Sequence, residues 1–318
     1  MTTGTAPAPL LSVVTPSLNS ARYLRETLDS LARQTFRDFE HIVVDGGSTD
    51  GTQTILAECP SIRWISEPDG ELGIAAAINK GAAMARGKYI IQCCLSDGFL
   101  DTRWFERAVS YLETHPDCAL VWSLPQQMTE EGALLAPFHS ELLDRSPRNG
   151  REFLPFWLAT QFVFPEGNYC TYTAIVRECF TNGGSPAHHL VQVHLGFVFN
   201  FMRRGYLSAF IPQVTSYFRK HQGRFETRRA IELPAARRYQ KDVIELWSRI
   251  VLGRESYVFR DPQGRPLGGY SLKQRAWLCA NAAGVCVSRL KVLRYPPIYV
   301  IGQLWRKLSG RPSSTARL

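Results

Sequence analysis

Residues 39–52 read FEHIVVDGGSTDGT. Within them Ile42-Val43-Val44 is β-branched throughout, which predicts a strand buried on both faces. The run stops at Asp45, and Gly46, Gly47, Ser48, Thr49, Asp50 and Gly51 follow. Glycines there allow positive φ and a close approach of ligand to backbone. Ser48 or Asp50 supplies a cap for the helix predicted over TQTILAEC, residues 52–59. Strand, carboxylate and glycine-rich turn together place Asp45 at the carboxyl end of a parallel strand, where open α/β sheets bind ligands. Alone, DGGS also serves as a plain turn and helix cap. Its surroundings decide.

On the amino-terminal side, Leu10 to Thr15 predicts a first strand, ended by Pro16 because proline cannot donate to a ladder. Asn19 or Ser20 then caps a helix with Tyr23, Leu24, Thr27, Leu28 and Leu31 on one face. Beyond the central strand come a third strand at Ile62 to Ser66, an alanine-rich helix at Gly73 to Arg86, and a fourth strand at Tyr89 to Leu95. A helix near Arg103 to Thr114 and a strand at Cys118 to Ser123 continue the alternation. This spacing predicts a mostly parallel sheet covered on both sides. From Pro125 to Pro165 the pattern breaks up, as expected of a binding loop or lid in an α/β enzyme. Gly167 to Cys179 resumes a strand and short helix, Leu195 to Arg204 a helix stopping at Gly205, and Tyr206 to Phe218 a last strand. After Lys220 the chain turns basic and helix-patterned over RFETRRAIELPAARRYQKDVIELWSRIV at 224–251, and again over 272–292 and 300–308, and ends in the polar tail GRPSSTARL. There are no repeats.

The 318 residues suffice for a full core, and 45% hydrophobic with 20% charged residues describes an ordinary globular chain. The net charge of +9 invites an acidic partner: nucleotide phosphates or an anionic membrane surface. Nucleic acid is not expected, since no helix-turn-helix, zinc-finger or RNA-recognition signature is present. The eight cysteines show no metal spacing; Cys93 and Cys94 sit side by side in a predicted strand, on opposite faces. Reduced, buried thiols point to the cytoplasm. MTTGTAPAPL lacks the basic-then-apolar order of a signal peptide, and no apolar stretch reaches the roughly 18 residues of a membrane helix.

VVDGGSTDGT resembles the signature of family-2 glycosyltransferases, enzymes of the GT-A nucleotide-sugar fold. Four further pieces follow that family's order: SVVTPSLNSARYLRETLDSL at 12–31, WISEPDG at 64–70, GIAAAINKGAAMARGKYI at 73–90 and LSDG at 95–98. The likeness is close over the first hundred residues or so, looser to Lys220 and absent beyond. It implies a Rossmann-like GT-A domain over 1–223, with a donor half at 10–124 and an acceptor half at 125–223. Residues 224–318 are then a basic helical extension. The implied reaction moves a hexosyl or N-acetylhexosaminyl group from a nucleotide sugar, UDP-linked, to a hydroxyl of a saccharide, lipid-linked or small natural-product acceptor. Basic helices carrying Trp277, Tyr295, Tyr299 and Trp305 would pack on the domain, on a second copy in a homo-oligomer, or on the inner face of a membrane.

The resemblance also assigns residues. Thr15, Pro16 and Ser17, with Asn19 in the same loop, match the segment bordering base and ribose; Asp45, followed by Gly46, matches the acceptor of a hydrogen bond from a uracil-type base. Asn79 and Lys80 match a helix facing the donor phosphates, and Glu67 and Asp69 face the same cleft. Ser96 and Asp97 fall in the acidic DxD-like motif, where Leu95 and Gly98 replace polar or acidic residues. Asp97 alone remains to hold Mg²⁺ or Mn²⁺ alongside diphosphate oxygens. Each also has a plain reading: strand end for Thr15 and Ser17, solvated helix end for Asn79 and Lys80, surface loop for Glu67 and Asp69, turn cap for Asp97. Ala76 stands where relatives often carry Asp.

Inverting relatives use a carboxylate base a helix before a GY dipeptide. Counting back from Gly205-Tyr206 puts His194 at that position and Gly196 at the next acidic one. A neutral imidazole serves as general base near pH 7, though a His among apolar residues is commonly a core or helix-start residue. Glu166 in FPEGN is the nearest carboxylate, and a base-free, retaining route is the third option. A nucleotidyltransferase would show a GxGxRxxP-like loop after the first strand, and a dehydrogenase GxGxxG; TPSLNSARY is neither. The non-enzymatic alternative is a glycosyltransferase-like binding protein, which Leu95, Gly98 and His194 favour and Asp45 and Asp97 oppose.

Overall fold

Ile42, Val43 and Val44 lie inside β2 (Phe39–Asp45), which pairs in parallel with β1 (Leu11–Ser17) on one side and β3 (Ile62–Ser66) on the other. The structure is a computed structural model describing residues 7–68, 73–138, 140, 142–145, 150–160, 164, 167–181, 193–220, 239, 241–243, 245–246, 249–250 and 257–271. Successive β2 side chains enter different cores. Ile42 and Val44 pack with α3 (Ile74–Met84), whereas Val43 packs with Leu24 and Leu56. Those two leucines come from α1 (Ala21–Ala32) and α2 (Thr52–Ala57). Alternation in a strand covered on both faces explains why all three positions are apolar.

Among the described residues nine strands form one sheet, in the order β3-β2-β1-β4-β8-β6-β9-β5, with β7 beside β6. Here β4 is Tyr89–Gln92, β5 Gly98–Phe99, β6 Cys118–Met128, β7 Leu134–Pro137, β8 Tyr169–Tyr172 and β9 Leu207–Arg219. The expected parallel character holds from β3 to β4 and again between β6 and β9; β8 runs antiparallel between β4 and β6. Helices α1, α2 and α4 (Trp104–Thr114) cover one face. The other carries α3, α6 (Gly150–Thr160), α7 (Thr173–Val176) and α8 (Val193–Arg204), with the short α5 (Leu142–Arg145) adding Leu142. A Cβ at Gly81 would lie 2.3 Å from Val14 Cγ1, so the glycine lets α3 lie directly on β1.

Several local expectations are corrected. Pro16 does not end β1 but pairs with Val44 inside it. Val14 O accepts Cys93 N–H, while Ser17 O accepts Gly46 N–H. Even-numbered residues of β1 therefore face β4, whose register with β1 ends at Val14, so the missing N–H of Pro16 falls where no ladder remains. Strand β4 stops at Gln92, which leaves Cys93 and Cys94 in a buried loop rather than a strand. The described residues of 125–165 are largely regular: β6 runs through Pro125 at a register shift, β7 hairpins back onto it, and α5 and α6 follow.

Helix α6 contains Pro155, which cannot donate to Arg151 O. That carbonyl instead accepts the Tyr270 hydroxyl at 2.9 Å. Tyr270 follows a hairpin of β10 (Val258–Arg260) and β11 (Pro266–Gly269), so the carboxyl-terminal third contributes strands as well as helix-patterned sequence. Arg260 N–H donates to Gly205 O at 2.9 Å. Gly205 has φ +82° and a Cβ there would sit 2.2 Å from Val258 O, so the helix stop read from sequence is also a docking point. The helical segments expected over 272–292 and 300–308 lie outside the described residues.

Candidate active site

Asp45 is 0% exposed at the carboxyl end of β2. Its carboxylate accepts Gly47 N–H at 3.3 Å, Ser48 N–H at 2.9 Å, the Ser66 hydroxyl at 2.7 Å and the Ser48 hydroxyl. Burial pushes this carboxyl up, but the bonds from Ser48, Ser66 and Gly47 prevail and hold it below its ordinary value. Gly47, at φ +89°, supplies the left-handed turn that aims these donors inward.

A second loop closes onto the first. Asn19, at φ +48°, donates its N–H to Ser48 Oγ at 2.7 Å and accepts Thr49 N–H on Oδ1 at 2.9 Å. The expected cap of α1 by Asn19 or Ser20 is corrected: Ser20 makes no side-chain cap bond. Asp50 accepts Ala21 N–H at 3.0 Å and Thr52 N–H at 3.1 Å instead, so one carboxylate serves the starts of both α1 and α2. Gly46 N–H donates to Ser17 O at 2.8 Å. Loops 17–21 and 45–52 are thus one knitted unit.

Thr15 and Ser17 differ. The Thr15 hydroxyl is buried against His41 Nε2 at 2.8 Å and faces the sheet interior. Ser17 Oγ is buried with no hydrogen-bond partner among the described residues. Glu67 N–H donates to Asp45 O at 2.9 Å, and the Glu67 carboxylate pairs with Lys80 Nζ at 2.6 Å. Lys80 therefore already has an anionic partner, while Asn79 Oδ1 on the same helix is buried and unpartnered among the described residues. Asp69 lies outside the described residues.

Asp97 is 2% exposed and sits against a residue that sequence reasoning missed. Arg219, at the end of β9, donates its backbone N–H to Asp97 Oδ1 at 3.0 Å and its Nε–H to Ser96 O at 3.3 Å. Its guanidinium also pairs with Glu26 at 2.5 Å and lies 4.8 Å from the Tyr23 ring centroid. The only sequence signal was a basic run, Arg219-Lys220, closing the last strand. Gly98 stands where a further acid often follows Asp97 in the motif, and it has little space for a side chain. A Cβ there would meet Tyr217 Oη at 2.5 Å and Ser30 Oγ at 2.8 Å. Among the described residues no three His, Cys, Asp or Glu converge as a metal site. A single carboxylate such as Asp97 offers the hard oxygen donor type that divalent cations like Mg²⁺ take.

His194 begins α8 and is 3% exposed, its ring edge-on to Tyr169 (centroids 6.3 Å apart) and Phe180 (5.9 Å). Glu166 lies outside the described residues. No helix among the described residues is long and apolar enough to cross a membrane.

The glycosyl transferase family 2 profile matches residues 12–165, the segment that holds both knitted loops and the Asp97 turn. Over residues 12–165 the chain thus has a domain that matches the family-2 glycosyltransferase profile. This domain is similar to a PGL/p-HBAD biosynthesis glycosyltransferase of Mycobacterium bovis, 36% identical over 118 residues, or 36% of this chain and 46% of that one. The chain thus spans under half the length of that relative. S. aureus TarS 1–349 in complex with UDP-GlcNAc shares the fold, with TM-score 0.58 and 14% identity over 85% of this chain and 70% of that one. So does the mannosyltransferase PcManGT from Pyrobaculum calidifontis in complex with GDP-Man and Mn²⁺, with TM-score 0.54 and 17% identity over 96% and 89% of the two chains.

Proposed function

We propose that this chain is a glycosyltransferase that moves a sugar from a UDP-linked donor to a hydroxyl of a saccharide, lipid-linked or small natural-product acceptor. The observation that carries the reading is the Asp45 loop. A carboxylate kept ionised by four local donors stands at the carboxyl end of a parallel strand, where it can accept a hydrogen bond from a base N–H. Ser17 Oγ, paired in register with Asp45 and lacking a partner among the described residues, supports a polar ligand there.

Asp97 would hold Mg²⁺ or Mn²⁺, and a bound ion would supply charge to offset the departing diphosphate. The chain's own part is positional: Arg219 fixes the Ser96-Asp97 turn, and the knitted loops fix the base. His194 and Glu166 are the proposed bases for the acceptor hydroxyl. His194 stands at the acceptor side on α8, enclosed by aromatic rings. In this reading the catalytic domain ends at 223 and the extension begins at 224, with 257–271 docked back on the domain. Cytoplasmic location with peripheral membrane contact through the carboxyl-terminal third belongs to the same reading.

Hydrolysis of UDP-sugars by the purified protein, with and without EDTA, tests it. Activity lost in EDTA and in Asp97→Asn is expected; binding of UDP-sugar with no turnover under any condition would favour an inactive binding protein, the reading that the occluded Gly98 position supports. For the base, His194→Ala is expected to lose roughly 10²- to 10⁴-fold in turnover with donor affinity kept. A larger loss in Glu166→Gln would transfer the role to Glu166.

A further inference from the structure

Gln92 is the last residue of β4, 2% exposed, and belongs to no feature used so far. Its Oε1 accepts the Tyr169 hydroxyl at 2.6 Å, and its backbone O accepts Gly167 N–H at 2.6 Å. Among the described residues its Nε2 has no hydrogen-bond partner. A buried amide donor left unmade is costly, and such groups in native proteins call for an explanation. The bond from Tyr169 accounts for Oε1 of this side chain and leaves Nε2 without a role.

The sheet order locates what is missing. From the base end at Asp45, β2, β1, β4 and β8 follow side by side. Gln92 is in register with Val14 of β1, on the face covered by α3, and Ile91 opposite Cys170 sets it beside Tyr169 of β8. Helix α3 contributes a second buried orphan on that side, Asn79 Oδ1. Tyr169 in turn stacks on Phe197 (centroids 5.5 Å apart) and meets the His194 ring edge. A donor with its base at Asp45 and its diphosphate at Asp97 has one remaining part to place between β4 and α8, its sugar. Both orphans are neutral amide atoms, suited to uncharged oxygens rather than phosphate. A sugar hydroxyl, donor and acceptor at once, satisfies either end of the Gln92 amide.

We infer that Gln92, held by Tyr169, hydrogen-bonds a hydroxyl of the transferred sugar and is a specificity-determining residue of the donor site; this rests on the donor reading above. Gln92 touches the ligand, and Tyr169 is its positioning residue. Calorimetric titration of the full chain with UDP, UDP-glucose and UDP-N-acetylglucosamine tests the assignment. Gln92→Met is expected to weaken the preferred UDP-sugar about tenfold or more while UDP affinity stays within about twofold, since only the sugar loses a buried partner. Tyr169→Phe keeps the ring and removes the hydroxyl that orients the amide, so it is expected to show a smaller loss of the same sugar-only kind. That variant also decides the matter should Gln92→Met fail to fold. Equal weakening of UDP and UDP-sugar in variants that melt like the wild type, or no change for either ligand, would overturn the inference. A wild-type protein that binds none of the three would overturn the donor reading and this inference with it.

Discussion

Asp45 shows how one side chain organises a loop and still offers an acceptor to a ligand. Ser48 and Ser66 hydroxyls and two backbone N–H groups surround it, yet each carboxylate oxygen has two lone pairs, and Oδ1 takes only the Ser48 hydroxyl. Asp45→Ala is therefore expected to weaken UDP binding more than tenfold, in line with the roughly 1.5–3 kcal/mol of a charged hydrogen bond. Calorimetry on the folded variant checks it, and unchanged affinity would remove Asp45 from the site. His41 gives a prediction of a different kind. Burial depresses its imidazole to about 4 from the ordinary 6.5. Between those pH values the unfolded chain binds a proton that the folded chain does not. Stability is thus full above about pH 6.5 and falls by about 3 kcal/mol as pH drops to about 4. Denaturant melts across that range should show the decline, and His41→Gln should flatten it. Nothing in the sequence singled out His41, because its pairing with Thr15 joins two strands 26 residues apart.

At the scale of elements, the turn Cys93–Asp97 is shaped from outside. Thr27 on α1 donates its hydroxyl to Asp97 O at 2.7 Å, and Arg219 on β9 donates to Asp97 and Ser96. Between α1, β5 and β9 there is no room for a side chain at position 98. Gly98→Ala is expected to cost about 1–3 kcal/mol through overpacking, read as a lower denaturation midpoint at unchanged slope. A neutral result would mean that Tyr217 moves aside freely, and an acid at this position would then be sterically admissible. The motif's departure at Gly98 was legible as a missing carboxylate; the lack of space there was not, since Ser30 and Tyr217 come from elements far away in the chain.

For the whole molecule, the hairpin at 258–269 docks residues 257–271 on the body of the large sheet. Arg151 donates from its guanidinium to Leu267 O at 2.6 Å and stacks over Phe259, while Tyr270 satisfies the carbonyl that Pro155 leaves open. Tyr239, Val243 and Ile250 join the core that also holds α6 and α8. Tyr270→Phe is expected to destabilise the protein by about 1 kcal/mol, the net worth of one hydrogen bond. Measured against Phe259→Ala, which also removes packing, the smaller loss should belong to Tyr270→Phe. A Tyr270→Phe protein as stable as the wild type would show that water replaces the hydroxyl and that the hairpin is not anchored there.

The sequence by itself determined whatever follows from short-range pattern: the buried β2 run, its glycine-rich end at Asp45, the strand at 62–66, the helices at 74–84 and 104–114, and the stop at Gly205. Period and turn chemistry are written in neighbouring residues, so they can be read without a fold. Only the tertiary structure decided that Pro16 sits inside a strand whose partner has ended, that Asp50 caps a helix 29 residues upstream, and that Arg219 braces the turn at Asp97. Each depends on which distant segment lies alongside, and one residue's hydrogen-bonding capacity does not say who will fill it.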